Sequence, residues 1–213
     1  MTPKLYYIHD PMCSWCWGYR PTWKDLQLNL PEVITIEYVL GGLAPDSDIP
    51  MPESQQQMIK SHWKSIQNKL GTKFNFDFWI KNIPRRSTYN ACRAVIAAKN
   101  QGYELEMIDA IQKGYYLRAL NPSDIDVLTQ LGYEIAKNIK QPNSAFNPEL
   151  YTEDLMTEET DLRLTKQIQL ARELTNQGFP SLVIESKGIQ HNIPINYKYY
   201  QPTIESIAEF LAK

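Results

Sequence analysis

The sequence lacks long apolar runs, an excess of charge of one sign, and any large number of cysteines. No apolar run approaches the ~20 residues of a membrane-spanning helix, and the run from Leu5 to Ile8 is shorter than the ~7–15 apolar residues of a secretory signal. The 22 basic and 24 acidic residues give a net charge of −2, without the basic patch that binds nucleic acid or anionic membranes. We therefore expect a cytoplasmic protein with no nucleic-acid or membrane partner, an expectation that a removed signal peptide would overturn.

The few cysteines exclude some kinds of site. Three cysteines are too few, and an odd number, for a scaffold built on disulfides. A zinc site would usually need a second cysteine pair or a histidine pair besides the CxxC motif at residues 13–16. Trp17, and not a histidine, follows the motif, which disfavours covalent haem attachment. We expect no metal and no cofactor, because the remaining candidate ligands are scattered: Cys92, His9, His62 and His191.

The opening of the chain has the pattern of a strand, a helix and a second strand. Residues 4–8, KLYYI, predict a buried strand, and residues 33–40, VITIEYVL, predict another because they are rich in β-branched side chains. Between them we expect a helix from about Cys13 to Leu30, with a kink or break at Pro21 because proline removes a backbone donor. This order is the βαβ unit of a parallel or mixed sheet.

The middle of the chain is mostly helical. Apolar side chains recur there at intervals of three and four residues, as on one face of an amphipathic helix. One helix is expected over residues 88–100 and a long one over residues 157–177. The expected boundaries rest on these cap signals: Ser54, Gly71, a capping box of Ser123 and Asp126, Asn147 before Pro148, and Gly178.

Strand character returns near the end of the chain. Residues 179–186 and 191–197 flank Lys187–Gly188, which predicts a hairpin, and an amphipathic helix follows. The order βαβ, helical block, ββα predicts an α/β fold. Because the helical block separates pieces of one sheet, we interpret it as an insertion. The predicted division is a discontinuous domain of residues 1–50 and 178–213, with residues 51–177 as the α-helical insertion.

The CSWC motif lies where the first strand ends and the first helix begins. The unpaired N–H groups and the positive end of the helix dipole favour a thiolate at Cys13, which we expect to be exposed to solvent. Free thiols titrate near pH ~8.5, and thiols of such motifs at about 3.5–7. Cys16 lies one turn later on the same side, within the ~7 Å between Cα atoms that a disulfide needs. The pattern favours a redox pair, with Cys13 attacking and Cys16 resolving, over two core thiols or half of a zinc site.

The segment GFPSLV before the third strand is a second signal. Pro180 lacks an N–H group at the start of a strand, and in a cis form it would turn the backbone of Phe179 outwards to pair with an extended substrate. Only about 5–6% of X–Pro bonds in folded proteins are cis. The residues alone therefore leave a trans proline in an ordinary turn as the alternative.

CSWC after the first strand and GFPS before the third resemble the DsbA-like branch of the thioredoxin superfamily. The chain is most similar to cytoplasmic relatives with a CSWCWG motif, described as predicted protein-disulfide isomerases and akin to FrnE-type proteins. The resemblance covers essentially the whole chain and implies a thioredoxin-like fold with a large helical insertion. Ser14 and Trp15 replace the Pro-His pair of DsbA, so the strongly oxidising character of DsbA does not carry over. The implied roles are Cys13 as nucleophile, Cys16 as resolving thiol, Pro180 as cis-proline, Phe179 as a backbone contact of the substrate, and Ser14 and Trp15 as further substrate contacts.

Other residues near the motif allow two interpretations. The family often has a buried acid near its cysteines; Asp10 is close in sequence, but capping the loop or helix start is the job we expect of it. His9 could stabilise a thiolate or form a hydrogen bond in the loop. Cys92 fits a buried inert thiol better than a redox partner. We further expect Trp15 at the groove surface, Trp17 and Trp23 in the groove or the core, and Arg85 and Arg86 at a solvated helix start.

The function that this resemblance implies is thiol–disulfide exchange, as a reductase or isomerase of disulfides in proteins or small thiols, glutathione among them. In a cytosol near roughly −220 to −320 mV such a pair would rest mostly reduced. One alternative is a glutathione-dependent isomerase or transferase of the kappa-like type, which generally carries serine at the attacking position. Another is a non-catalytic binding module on the same fold. The oligomeric state is not fixed by the sequence.

Overall fold

The computed structural model describes residues 2–139 and 145–212, and its centre is a four-stranded sheet in the order β2-β1-β3-β4. β1 pairs in parallel with β2 and antiparallel with β3, and β3 and β4 form an antiparallel hairpin. The four strands are β1 (Lys4–His9), β2 (Thr35–Leu40), β3 (Ser181–Ser186) and β4 (Ile189–Ile193).

Helices make up most of the remaining described residues. Seven of them, α2 to α8, lie in the chain between β2 and β3. No helix in the two described ranges is long and apolar enough to cross a membrane. The helices are α1 (Ser14–Asn29), α2 (Glu53–Leu70), α3 (Phe78–Lys81), α4 (Tyr89–Lys99), α5 (Glu104–Arg118), α6 (Ile125–Asn138), α7 (Pro148–Leu155), α8 (Glu158–Leu174) and α9 (Gln201–Leu211).

β1 is covered on both faces, which explains its unbroken apolar run. Leu5 and Tyr7 pack in a cluster with Trp23 of α1 and with α9. Tyr6 and Ile8, which point to the opposite face, pack against α8. The element order and the mixed sheet confirm the predicted α/β, thioredoxin-like fold with a helical block between β2 and β3.

The helical block shares a core with the cysteine helix. Its largest apolar cluster contains the fully buried Trp63 of α2 and Tyr116 of α5, together with Met12, Trp17 and Leu40 from the strand–helix–strand unit. The block therefore packs directly on the elements that carry the CSWC motif. The division into a discontinuous domain and an insertion stays a prediction.

Several local predictions are confirmed. Gly71 ends α2 with a positive φ of 71° and donates its N–H to the Gln67 carbonyl. The Asn147 side chain accepts a hydrogen bond from the Leu150 N–H at the start of α7. Lys187 and Gly188 both have positive φ, the conformation of a tight two-residue hairpin turn between β3 and β4.

We expected a kink or a break in α1 at Pro21, and a break does not occur. α1 runs continuously through this residue. Proline forfeits one backbone hydrogen bond, but the buried Tyr19, Trp23 and Leu26 on either side pack against the sheet. That burial outweighs the lost bond.

Three predicted caps are wrong: Ser54, the Ser123–Asp126 box and Gly178. α2 already begins at Glu53. The Ser123 hydroxyl instead donates to the Ser87 carbonyl (2.7 Å), a tertiary contact that a local pattern does not reveal. α8 ends at Leu174, with Thr175 in extended conformation as its cap.

Candidate active site around Cys13 and Cys16

The two cysteines of the motif lie at the N-terminus of α1. Cys13 is the N-cap residue and Cys16 lies in the first turn. The loop before them is closed by the Cys13 N–H, which donates to the Asp10 carbonyl (3.0 Å), and the Trp17 N–H donates to the Cys13 carbonyl (3.1 Å). Both thiols are free.

The surroundings of the two sulfur atoms differ. Cys16 is fully buried, and burial raises the pKa of its thiol well above the ordinary value, with a further rise from the neighbouring Cys13. Cys16 therefore keeps its proton at neutral pH. Cys13 lines a partly open cavity of about 230 Å³.

The expected exposure of Cys13 to solvent is wrong, because only 6% of the residue is accessible. Its sulfur is held against the loop that precedes β3. The Cys13 thiol donates a hydrogen bond to the Phe179 carbonyl, at 3.5 Å. The cavity that Cys13 lines offers a substrate an approach to the sulfur.

The loop before β3 has the geometry that the resemblance implies. The peptide bond between Phe179 and Pro180 is cis. The Phe179 ring packs against Gly41, where an added Cβ would lie 2.1 Å from the ring carbons. This contact explains why a glycine follows β2, and it brings together the loops after β1, after β2 and before β3.

The cavity gathers most of the expected substrate contacts. Cys13, Ser14, Trp15 and Phe179 all line it, and Ser14, Trp15 and Phe179 are half-buried. Pro180 is buried and does not line the cavity. The helical block contributes much of the opposite wall: Met51, Met58, Ile59, His62, Arg85, Arg86 and Tyr115.

The tryptophans of the motif divide between groove and core. Trp15 lies at the groove, with its ring 5.1 Å from that of Tyr197. Trp17 is buried, stacks on Tyr116 (5.5 Å), and donates its Nε1–H to a backbone carbonyl. Trp23 is buried against Tyr7 (4.3 Å). Trp17 and Trp23 are therefore core residues.

Asp10 caps the loop, as expected, and has a wider structural role. Its buried carboxylate accepts hydrogen bonds from the Met12 N–H (2.8 Å), the Leu43 N–H (2.7 Å) and the Thr88 hydroxyl (2.7 Å). Burial raises the pKa of Asp10, and these donors oppose the rise. One carboxylate therefore joins the cysteine loop, the loop after β2 and the start of α4.

Cys92 is a buried thiol bound to the same carboxylate. Its Sγ lies 3.6 Å from Oδ2 of Asp10 and donates to it. Burial, with the charge of Asp10, raises the pKa of the Cys92 thiol well above its ordinary value. The thiol therefore stays protonated, in agreement with the interpretation of Cys92 as inert.

His9 fulfils neither of its two expected roles. It is fully buried and stacks on Tyr7 with ring centres 5.1 Å apart. Burial lowers the pKa of His9 to about 3, so it carries no charge at neutral pH with which to stabilise a thiolate. Neither ring nitrogen has a hydrogen-bond partner within the described residues.

The expectation of a solvated helix start at Arg85 and Arg86 is also wrong. α4 begins only at Tyr89, and both arginines are half-buried and line the cavity. Arg85 forms an ion pair with Asp124. The sequence carries no signal for this placement, because it depends on how the helical block folds over the cysteine helix.

No group of three or more His, Cys, Asp or Glu side chains that could hold a metal ion occurs in residues 2–139 and 145–212.

A family model and several solved structures match this chain. The family model described as Thioredoxin matches residues 6–203. A candidate protein disulfide isomerase from Nitrosomonas europaea has a TM-score of 0.82 at 24% identity, covering 100% of this chain and 98% of that one. The cytosolic disulfide reductase DsbM from Pseudomonas aeruginosa has a TM-score of 0.74 at 20% identity, covering 98% of both chains.

DsbM has also been solved with glutathione. The ClpXP adapter protein SpxH from Halalkalibacterium halodurans is 21% identical over 218 residues, which span 97% of this chain and 68% of the adapter. At these identities, the likeness to the solved structures concerns the fold, which is of the DsbA type.

Proposed function

We propose that this chain, which belongs to the thioredoxin family, is a thiol–disulfide oxidoreductase that works as a reductase or isomerase through Cys13 and Cys16. The observation that carries the proposal is the asymmetry of the two thiols. Cys16 is fully buried with a raised pKa, whereas Cys13 lines a cavity at the N-terminus of a helix. Such a pair divides the work of attack and resolution.

The reaction begins at Cys13. Its thiolate, favoured by the first-turn N–H groups of α1, attacks one sulfur of a substrate disulfide. The substrate S–S bond breaks, a mixed disulfide with Cys13 forms, and the other substrate sulfur leaves as a thiolate that takes up a proton.

Cys16 completes the reductive cycle. It loses its proton and attacks Sγ of Cys13, which forms the Cys13–Cys16 disulfide and releases the second substrate thiol. Two electrons have then passed to the substrate, and an external thiol must return them by reducing the protein. In isomerisation, another thiol of the substrate attacks the mixed disulfide instead, and no net electron transfer occurs.

The cavity walls position the substrate in this proposal. The Phe179 carbonyl, now bound to the Cys13 thiol, is freed when that thiol ionises and can accept a hydrogen bond from an extended substrate. Ser14 and Trp15 contact the substrate from the other side, and Pro180 shapes the loop from its buried position. The substrates are disulfides of proteins or small thiols, glutathione among them, in the cytoplasm.

The experiment is insulin reduction by dithiothreitol, measured by turbidity, with the wild type and three cysteine variants. Cys13→Ser should abolish catalysis, and Cys16→Ala should reduce it strongly because the mixed disulfide is not resolved internally. Cys92→Ala is the matched control that removes one thiol and should keep the activity. Activity that survives Cys13→Ser would overturn the proposal.

Two alternatives remain testable. For a glutathione-dependent transferase of the kappa-like type, Cys13→Ser should bind glutathione saturably and turn over an electrophile. A non-catalytic binding module has some support from the adapter protein to which the chain is similar. In that case neither insulin reduction nor any covalent partner of a Cys16→Ala variant would be detected.

A further inference from the structure

Arg86 stands apart from the other arginines of the chain. The sequence has seven, and five of them donate to an acceptor: Arg20, Arg85, Arg93, Arg118 and Arg163. Arg172 is exposed on α8. Arg86 is half-buried, lines the cavity beside Cys13, and has no ion pair or hydrogen bond to any residue in ranges 2–139 and 145–212.

The residues that line the cavity around Arg86 include basic side chains and no acidic ones among those described. Three basic residues line it: Arg85, Arg86 and His62. Arg85 is neutralised by Asp124, and His62 is exposed. The buried Asp10 lies outside the lining, with its carboxylate occupied by its own donors. Arg86 is therefore the arginine of the lining that has no acidic partner among the described residues.

Arg86 shares the cavity wall with Tyr115. The charge of Arg86 opposes the rise that burial gives to the pKa of Tyr115. Tyr115 lines the same cavity as Cys13. A molecule that occupies this cavity therefore meets a wall that contains both Cys13 and Arg86.

We propose that Arg86 is a specificity-determining residue that binds a carboxylate of the substrate, so that the site selects small disulfides carrying a carboxylate near the reacting sulfur. A guanidinium binds a carboxylate through two parallel charge-assisted hydrogen bonds. A half-buried guanidinium without a partner leaves these donors available to a ligand. The inference rests on the function proposed above.

The size of the cavity is compatible with a small substrate. Its volume of about 230 Å³ is below the ~300–1,000 Å³ of pockets that hold drug-sized ligands. One half of a small peptide disulfide suits this space. The apolar side chains of Met58, Ile59 and Tyr115 line the wall against which the uncharged part of such a substrate packs.

The test compares three small disulfides in single-turnover reactions with the fully reduced protein. The probes are glutathione disulfide, which is rich in carboxylates; 2-hydroxyethyl disulfide, which is neutral; and cystamine, which is cationic. The second-order rate constant for loss of the free Cys13 thiol is measured by acid quenching and mass spectrometry. Arg86→Gln removes the positive charge, and Arg86→Lys keeps the charge but not the two parallel N–H donors of a guanidinium. The control is Arg118→Gln, which removes an arginine of α5 that pairs with Glu134.

Arg86→Gln should lower the rate constant for glutathione disulfide about tenfold to hundredfold, the loss expected for one charge-assisted hydrogen-bonded pair. The rate constant for 2-hydroxyethyl disulfide should stay within about twofold, and that for cystamine should not fall. Arg86→Lys should recover part of the loss, and Arg118→Gln should match the wild type. In the wild type, added salt should slow the reaction of glutathione disulfide and leave that of the neutral probe unchanged.

Equal losses for the charged and neutral disulfides would overturn the inference, because Arg86 would then act on the cysteine and not on the substrate. No loss with glutathione disulfide would overturn it as well, as would a salt-independent rate in the wild type. If the wild type reacts with none of the three disulfides, the proposed function itself fails, which is a different result from a reaction without charge selectivity.

Discussion

At the scale of single residues, the buried charge of Asp10 holds the site together. Three separate segments donate hydrogen bonds to its carboxylate, and none of these donors is a cation. A buried carboxylate with such partners is costly to remove, because each donor left without an acceptor costs about 1–3 kcal/mol. Asp10 therefore joins the cysteine loop to the helical block, whereas the sequence predicts only that it caps the loop or the helix start.

Asp10→Ala should lower the free energy of unfolding by about 2–4 kcal/mol, because the Met12 N–H and the Leu43 N–H lose their acceptor. Urea denaturation followed by circular dichroism measures the loss. Asp48→Ala, at an exposed acid, is the control and should change the free energy by less than ~0.5 kcal/mol. Equal effects of the two variants would contradict the role of Asp10.

His9 makes a separate prediction about pH. Its pKa is about 3 in the folded protein, against 6.5 ordinarily. Between these values, the unfolded chain binds a proton that the folded protein does not, so stability falls as pH decreases from 6.5 towards 3, by about 1.4 kcal/mol per pH unit. Between pH 7.5 and pH 5 the wild type should therefore lose about 2 kcal/mol more than His9→Phe, measured by urea denaturation.

The comparison of wild type with His9→Phe isolates the effect of one group. Both proteins keep Asp10, whose raised pKa makes stability rise as the pH falls and so opposes the effect of His9. His62→Gln, at an exposed histidine, should keep the pH dependence of the wild type. A His9→Phe variant with that same dependence would show that the buried imidazole does not resist protonation.

At the scale of elements, the site is built where three loops meet at one end of the sheet. The loop after β1 carries Cys13, the loop after β2 begins with Gly41, and the loop before β3 carries Phe179. Gly41 allows this meeting, because a side chain there would overlap the Phe179 ring. The Phe179 carbonyl in turn lies 3.5 Å from the Cys13 sulfur.

Gly41→Ala should therefore slow the reaction of Cys13 with 2-hydroxyethyl disulfide by about tenfold or more, because Phe179 and its carbonyl must move away from the sulfur. The rate is measured in single turnover by mass spectrometry. Gly178→Ala, one residue before Phe179 in a position where an added Cβ meets no atom within 4 Å, should react like the wild type. A Gly41→Ala variant as fast as Gly178→Ala would contradict the account of the loops.

Much of this element structure could be predicted from the sequence. Hydrophobic runs and glycines predicted β1, β2 and the hairpin, and the CSWC motif predicted the start of α1. The cis form of Pro180 came from the resemblance, since X–Pro bonds in folded proteins are mostly trans. Arg86 and the wider role of Asp10 were not predictable, because both depend on contacts with α4 and the helical block.

At the scale of the whole molecule, the helical block and the strand–helix–strand unit share one apolar core. Met12, Trp17 and Leu40 pack in the same cluster as the buried side chains of α2, α4 and α5. A shared core predicts cooperative unfolding. Fluorescence, dominated by buried tryptophans, and far-ultraviolet circular dichroism, dominated by the helices, should therefore give the same midpoint in urea, and two separate transitions would contradict the shared core.

The central claim is that Cys13 attacks and Cys16 resolves, and the most direct measurement follows the two sulfurs during one turnover. Reduced wild type and Cys16→Ala are mixed with a small disulfide, quenched with acid at increasing times, and analysed by peptide mass spectrometry. The account predicts a lasting adduct on Cys13 in Cys16→Ala, and in the wild type a transient one that gives way to a Cys13–Cys16 disulfide. An adduct that forms first on Cys16 or Cys92, or a wild type that never forms the internal disulfide, would contradict it.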